Sequence, residues 1–186
     1  MSMELPPSDN LTGSLLVAHP SLLDPHFRRT IVYISHHDME DGALGLILNR
    51  PTGKTVADLS RSEGPDFLLP VPVFEGGPVQ KEGILIASLH WRAVSKDVSF
   101  MKIDEIQEAE QLSAPQKQNL RAFLGYSGWS KGQIESEIQQ KAWIVMKPEK
   151  NSIMSGTTDE TWKKIMRSLG PIYHLLSESP DDPAMN

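Results

Sequence analysis

Apolar residues in this chain fall mostly into short runs broken by glycine and proline, the pattern of a strand-rich protein. Leu15-Leu-Val-Ala18 is the first run and stops at His19-Pro20. Thr30-Ile-Val-Tyr-Ile-Ser35 and Ala43-Leu-Gly-Leu-Ile-Leu48 follow. The polar loop between them ends in Asp41-Gly42 and predicts a β-hairpin that finishes at Asn49-Arg50-Pro51. A loop bracketed by Gly64-Pro65 and Pro70 to Pro72 leads to Val73-Phe74 and a tight turn at Glu75-Gly76-Gly77-Pro78, and Gly83 to Leu89 and Ala142 to Met146 read as further strands. Val98 to Lys102 reads as an edge strand kept wet by Lys96, Asp97 and Lys102. Helical spacing is rarer. Thr55 with Asp58 opens a short helix, and Asp104 to Leu112 is a weakly amphipathic one ended by Ala114-Pro115. Thr157 with Glu160 caps a helix whose Trp162, Ile165, Met166 and Leu169 make a core stripe, halted by Gly170-Pro171. Strands outnumber helices and do not alternate with them strictly, so the class is α+β.

Most of the unusual residues gather between Phe123 and Trp143. Leu120, Ala122 and Leu124 alternate with Arg121 and Phe123 as in a strand with one buried face. Gly125 and Gly128 then predict a sharp turn, and Ser130 with Gln133 a capped helix behind it. On that helix Ile134 and Ile138 share one face, while Glu137 is placed to pair with Lys141 on another. A strand, turn and helix start in this order expose backbone N–H groups that can hold an anion; alternatively, Ser130 and Gln133 only cap the helix.

The 186 residues suffice for one sizeable core. We expect a flexible leader over 1–10, a single domain over 11–176 and a disordered, acidic, proline-containing tail over 177–186. No cysteine is present, which removes disulfides and thiolate chemistry. The formal net charge of −6 argues against reliance on phosphate neutralisation, hence against direct nucleic-acid binding. No signal-like or membrane-spanning run is visible, so the expected setting is the cytoplasm, away from membranes.

Several segments, taken in order and at their separations, resemble one family. They are Gly13-Ser-Leu-Leu-Val-Ala-His-Pro20 with Asp24-Pro-His-Phe-Arg-Arg29, then Gly42-Ala-Leu-Gly-Leu-Ile-Leu-Asn-Arg-Pro51, then Gly76-Gly-Pro78. The last is Gly125-Tyr-Ser-Gly-Trp-Ser-Lys-Gly-Gln-Ile-Glu135 with Trp143. Between about Leu11 and Leu176 the chain is similar to the YqgE/AlgH family of bacterial proteins, least so from Ser88 to Lys117. The resemblance implies an α+β fold with a mixed, bifurcated β-sheet closing into a pseudo-barrel flanked by helices. It also implies a cytosolic bacterial setting and, through one namesake, a link to transcriptional regulation of exopolysaccharide production. Architecture follows from such a likeness; chemistry does not.

Motifs that would carry chemistry are incomplete. Gly53-Lys54-Thr55 lacks the glycine a phosphate loop needs at position 48, which is Leu. Ser127 lacks the second glycine of a hydrolase elbow, where Trp129 stands, and the family pattern implied by the resemblance accepts alanine in its place. His36, His37, Asp38, Glu40 and Asp41 can bind metal but sit at a hairpin tip where side chains diverge, so a solvated loop is expected and no metal site. His19, His26, His90 and His174 show no ligand spacing. Lys163, Lys164 and Arg167 form a basic helix face diluted by Asp159 and Glu160, without a DNA-binding motif. No catalytic residue and no cofactor is assigned.

What remains is a set of turns that a pseudo-barrel can bring to one rim: Asn49-Arg50, Gly76-Gly77 and the stretch carrying Tyr126, Trp129 and Gln133, with Asp24 and Arg28 beside the first strand. Together they offer a guanidinium, carboxamides, an aromatic wall and backbone N–H groups, the equipment of a pocket for an anionic or polar ligand. The competing reading makes the glycines turn formers, the tryptophans core, and Asp24 with Arg28 a local ion pair. The expected function is a non-enzymatic binding or regulatory module for a small anionic ligand or a protein partner. The alternative is an enzyme acting on a small anionic metabolite at the same rim.

Overall fold

The protein is described by a computed structural model covering residues 10–60, 64–154 and 158–178. Its strands are β1 (Leu15–Ala18), β2 (Ile31–Asp38), β3 (Gly42–Ile47), β4 (Pro51–Thr55), β5 (Pro72–Glu75), β6 (Val79–Arg92), β7 (Asp97–Ile103), β8 (Leu120–Trp129) and β9 (Trp143–Met146). The helices are α1 (Val56–Leu59), α2 (Ile106–Glu110), α3 (Ala114–Gln118), α4 (Gln133–Gln139), α5 (Lys150–Met154), α6 (Asp159–Leu169) and α7 (Pro171–Ser177).

The sheet forks at β8. Along one edge β8 pairs first with β5, in parallel from Val73↔Ala122 to Glu75↔Leu124, and then with β3, antiparallel from Gly45↔Ser127 to Ala43↔Trp129. Its other edge carries β6, from Ser88↔Leu120 to Val79↔Tyr126. To pass from β5 to β6 the chain must therefore cross the face of β8, and it does so at Gly76-Gly77-Pro78. The crossing is held by hydrogen bonds from the N–H of Gly76 to the carbonyl of Leu124 and from the N–H of Ile47 to the carbonyl of Gly76, at 2.9 and 3.0 Å. A Cβ on Gly76 would collide with the Gly125 carbonyl, and one on Gly77 with the Tyr126 backbone.

Beyond the fork, β3, β2, β1 and β9 continue one arm, while β6 and β7 continue another. The arms curl towards each other until Tyr33 of β2 and Phe100 of β7 lie 5.6 Å apart, ring to ring. Inside the curl Leu15, Ile31, Leu46, Leu89, Phe123 and Ile144 form the main core, closed by Ile153 of α5 and by Trp162 and Met166 of α6. Two smaller clusters cover the outer faces, one under α4 around Trp129 and Trp143, the other around Leu68, Ala109 and Leu120. This is the mixed α+β pseudo-barrel flanked by helices. No helix among the described residues is long and apolar enough to cross a membrane.

Burial leaves two marks on the interior. It pushes the Tyr33 hydroxyl up to about 12, with Asp97 adding to the shift and Arg92 opposing it. It also depresses the Arg121 guanidinium to about 10. Arg121 donates Nη2 to the Ile153 carbonyl and lies over the Phe74 ring at 5.3 Å, but its Nη1 is buried with no partner among the described residues. A half-buried cation with one terminal nitrogen unmet recovers little of what its desolvation costs, less than an apolar side chain of similar length gains there. Arg121→Met is therefore expected to stabilise the fold by about 1 kcal/mol, read as a higher melting temperature; a lower one would show that the guanidinium has a favourable partner.

The hairpin, the Thr55–Asp58 capping box and the core stripe of α6 stand as expected. Other expectations need correction. Gly125 and Gly128 do not make a turn; both lie inside β8, and the chain turns only at 130–132. Gly125 uses its freedom for a left-handed conformation, φ 67°, where the β6–β8 register shifts, and Gly128 is held in line by its pairing with Leu44 of β3. Glu137 does not stand apart with Lys141: its Oε2 accepts the indole N–H groups of Trp129 and Trp143 at 2.9 and 2.7 Å. Gln133 Oε1 does reach back to accept the Ser130 N–H, as expected of the pair, but the residue that caps α4 is Gly132 and no side chain caps it. Ala114-Pro115 opens α3, with proline in the first turn, and does not end the helix before it: α2 spans only Ile106–Glu110 and is capped by Gln111. β4, α5 and α7 were not anticipated. Residues 1–9, 179–186 and Thr157, on which the leader, most of the tail and one capping box were placed, lie outside the described residues. Ser177, assigned to the tail, is the buried last residue of α7.

Candidate functional site

The turn between β1 and β2 is held by a dense set of polar backbone contacts. Asp24 starts it: its carboxylate accepts the N–H of His26 at 2.8 Å, and its carbonyl accepts those of Phe27 and Arg28. Phe27 then inserts into the outer core, stacked on Trp129 at 6.0 Å and edge-on to Trp143 at 5.5 Å. Arg50, just beyond β3, reaches across and donates to the carbonyls of Pro25, His26 and Arg28. Asn49 beside it is buried and bridges the turn to β2, accepting from the N–H of Ile31 and donating to the Arg29 carbonyl, at 2.8 and 2.7 Å. Arg29 sits at a φ of 56°, a left-handed conformation that costs a non-glycine residue about 1 kcal/mol or more, with its guanidinium 5.7 Å above the Trp162 ring.

This turn walls a cavity of about 530 Å3, lined by Arg28, Arg29, Asn49, Arg50, Pro51, Glu75, Thr158 and Asp159. A recess of about 150 Å3 adjoins it, sharing Arg50 and Glu75 and adding His26, Ile47, Gly77, Pro78, Lys81 and Leu124. The larger cavity is thus lined by three arginines and two acidic residues. Arg50 has no carboxylate partner among the described residues; its Nη1 and Nη2 are held by backbone carbonyls of the turn, so its charge is not neutralised by an acid.

Of the residues singled out from the sequence, Arg28, Asn49, Arg50 and Gly77 line these cavities. Asp24 builds the turn behind them, and Gly76 makes the crossing beneath. Tyr126 packs against the main core, its backbone under Gly77. Trp129 lies on the outer face and acts on the turn only through Phe27, and Gln133 bonds Glu137 Oε1 at 2.9 Å, away from either cavity. Arg29, Glu75, Lys81 and Asp159 were not singled out. Arg29 ends a motif already recognised, and a second arginine beside Arg28 was a usable signal; Glu75 carried none.

The other candidates take structural roles. Ser127 is fully buried in β8 and donates to the Gly76 carbonyl at 3.2 Å, so it is not an exposed nucleophile. His37 is buried rather than solvated: Nδ1 accepts the N–H of Leu11, which places the proton on Nε2, facing Glu135 Oε1 at 2.7 Å. Among the described residues no group of three or more His, Asp or Glu side chains is arranged to hold a metal ion. Arg167 of the basic helix face contacts Glu178 and Glu160.

A curled, forked sheet with an arginine-lined cavity at the β1–β2 turn defines a small α+β protein of pseudo-barrel architecture. Its relatives share the architecture. Residues 15–174 match the AlgH-like family model, and the chain belongs to that family. A UPF0301 protein of Streptomyces coelicolor is 35% identical, with 95% of this chain and 96% of the relative covered. One from Azoarcus is 36% identical, over 92% and 95%. The crystal structure of a Corynebacterium diphtheriae protein superposes with a TM-score of 0.71 at 21% identity, covering 96% of this chain and 95% of that one. The solution structure of the AlgH protein from Pseudomonas aeruginosa gives 0.65 at 24%, covering 96% and 98%. These two likenesses speak to fold alone.

Proposed function

We propose that the protein is a non-catalytic cytoplasmic binding module whose ligand is a small anion held at the β1–β2 cavity. The observation that carries this reading is the convergence of Arg28, Arg29 and Arg50 on one concave surface. Guanidiniums present paired N–H groups suited to carboxylate and phosphate, and a turn fixed by Phe27, Asn49 and Arg50 needs little reordering on binding. Burial of Ser127 supports binding over acyl transfer. A regulatory role, in transcription or elsewhere, would run through ligand-dependent contact with a protein, since the basic face of α6 is met by Glu160 and Glu178.

Titration with inorganic phosphate and simple phosphomonoesters, followed by amide chemical shifts, tests the reading. The expected result is saturable shifts in the 24–29 turn that weaken about tenfold in Arg28→Ala and fall with added salt. Shifts of the same size in Arg28→Ala and Arg50→Ala, or none in the wild type, would overturn it.

A further inference from the structure

We infer that Glu75 makes this site selective for an anion that carries hydroxyl groups beside its charge, the chemistry of a sugar phosphate. The inference rests on the anion-binding reading above and adds the class of ligand to it.

Glu75 is the last residue of β5. Alternation along the strand sends Phe74 inwards, against Phe123 at 5.8 Å, and turns Glu75 to the opposite face. Its backbone is fixed by the hydrogen bond from its N–H to the Arg50 carbonyl at 2.9 Å. The carboxylate lines both cavities and is exposed, and among the described residues it takes no hydrogen bond and joins no ion pair. An acceptor therefore stands at the junction of two recesses whose other charged walls are mainly cationic: Arg28 and Arg29 on one side, Lys81 on the other, Arg50 shared.

A ligand that fills both recesses lies against the two residues that line both, Arg50 and Glu75. An ionised carboxylate only accepts hydrogen bonds, so the group that meets Glu75 must donate. A second anionic group there would meet like charge, which counts against extended polyanions. An ammonium would satisfy Glu75 but would face Arg50 and Lys81 in the same recess. A hydroxyl donates without adding charge and gains a charge-assisted bond. The larger cavity lies in the usual size range of small-molecule sites, about 300–1,000 Å3, and its three guanidiniums suit a phosphoryl group. The smaller recess, floored by Ile47, Pro78 and Leu124, has room for a few atoms of a hydroxylated limb.

The test compares glucose 6-phosphate, n-hexyl phosphate and inorganic phosphate by calorimetric titration against wild type, Glu75→Gln, Glu75→Ala and Arg50→Ala. Wild type is expected to bind the sugar phosphate about tenfold more tightly than the alkyl phosphate, the effect of one good charge-assisted bond. Glu75→Ala should bring the two affinities together while phosphate binding persists, and Glu75→Gln should reduce the ratio and bind fructose 1,6-bisphosphate more tightly than wild type does. Both variants should melt as wild type does, because the side chain makes no contact that the fold depends on. Equal wild-type affinities for the sugar and alkyl phosphates, or a preference that survives in Glu75→Ala, overturns the role of Glu75; saturable, salt-sensitive phosphate binding by wild type that weakens in Arg28→Ala then leaves the anion site standing. If no phosphate binds wild type up to about 10 mM, both readings fall together.

Discussion

Gly77→Ala is expected to abolish folding. The residue sits where the chain crosses β8, at a φ of 153°, and an added Cβ would occupy the space of the Tyr126 carbonyl and the Ser127 nitrogen. Relief by movement is blocked, because β8 is paired with β6 on one edge and with β5 and β3 on the other. Backbone cannot be pushed aside as the tip of a flexible side chain can, so the clash breaks pairing on one arm of the fork. The expected loss exceeds 4 kcal/mol, against a typical total of about 5–15 kcal/mol. Circular dichroism and near-ultraviolet spectra check it: the variant should lack a cooperative melt. Gly53→Ala is the control, since Gly53 also has a positive φ, 75°, but no heavy atom lies within 4 Å of its missing Cβ. It should cost only about 1 kcal/mol. A Gly77→Ala protein that melts within a few degrees of wild type would show that the crossing is looser than these contacts require.

That same crossing marks the limit of what can be read from residues alone. Runs such as Leu15–Ala18 and Ile31–Ile34 announce themselves because each is buried on its own, whatever it pairs with. Gly125 and Gly128 mislead for the opposite reason: their conformations are set by β5, β6 and β3 arriving from elsewhere in the chain, and no local signal encodes those arrivals. The candidate site divides along the same line. Arg28, Asn49, Arg50 and Gly77 stand in motifs whose glycines and prolines declare a turn, so their gathering at a rim follows once the sheet curls. Trp129 and Gln133 share the most conspicuous motif with Tyr126, yet alternation and the Glu137 carboxylate commit them to the outer face. Glu75 is one acidic residue among 24 Asp and Glu, and only the path of β5 shows that it lines the same cavity as three arginines.

Trp162 joins fold and site, and its replacement carries the other large effect. It is almost fully buried in α6, against the main core, and its indole N–H donates to the Ala18 carbonyl at 2.8 Å, fastening the helix to the end of β1. Its ring also lies beneath the Arg29 guanidinium, which faces the cavity. Trp162→Ala should cost about 3–5 kcal/mol through the cavity it leaves, lowering the melting temperature by about 10 °C or more. Trp162→Phe keeps a ring under Arg29 but leaves the Ala18 carbonyl unmet, at a cost of about 1–3 kcal/mol. The two variants should therefore separate in a binding measurement made well below both melting points. Phosphate affinity should fall in Trp162→Ala, where Arg29 loses its support, and stay near the wild-type value in Trp162→Phe. Equal affinities in the two would mean that the turn holds Arg29 through the Asn49 bond to its carbonyl, without help from the ring.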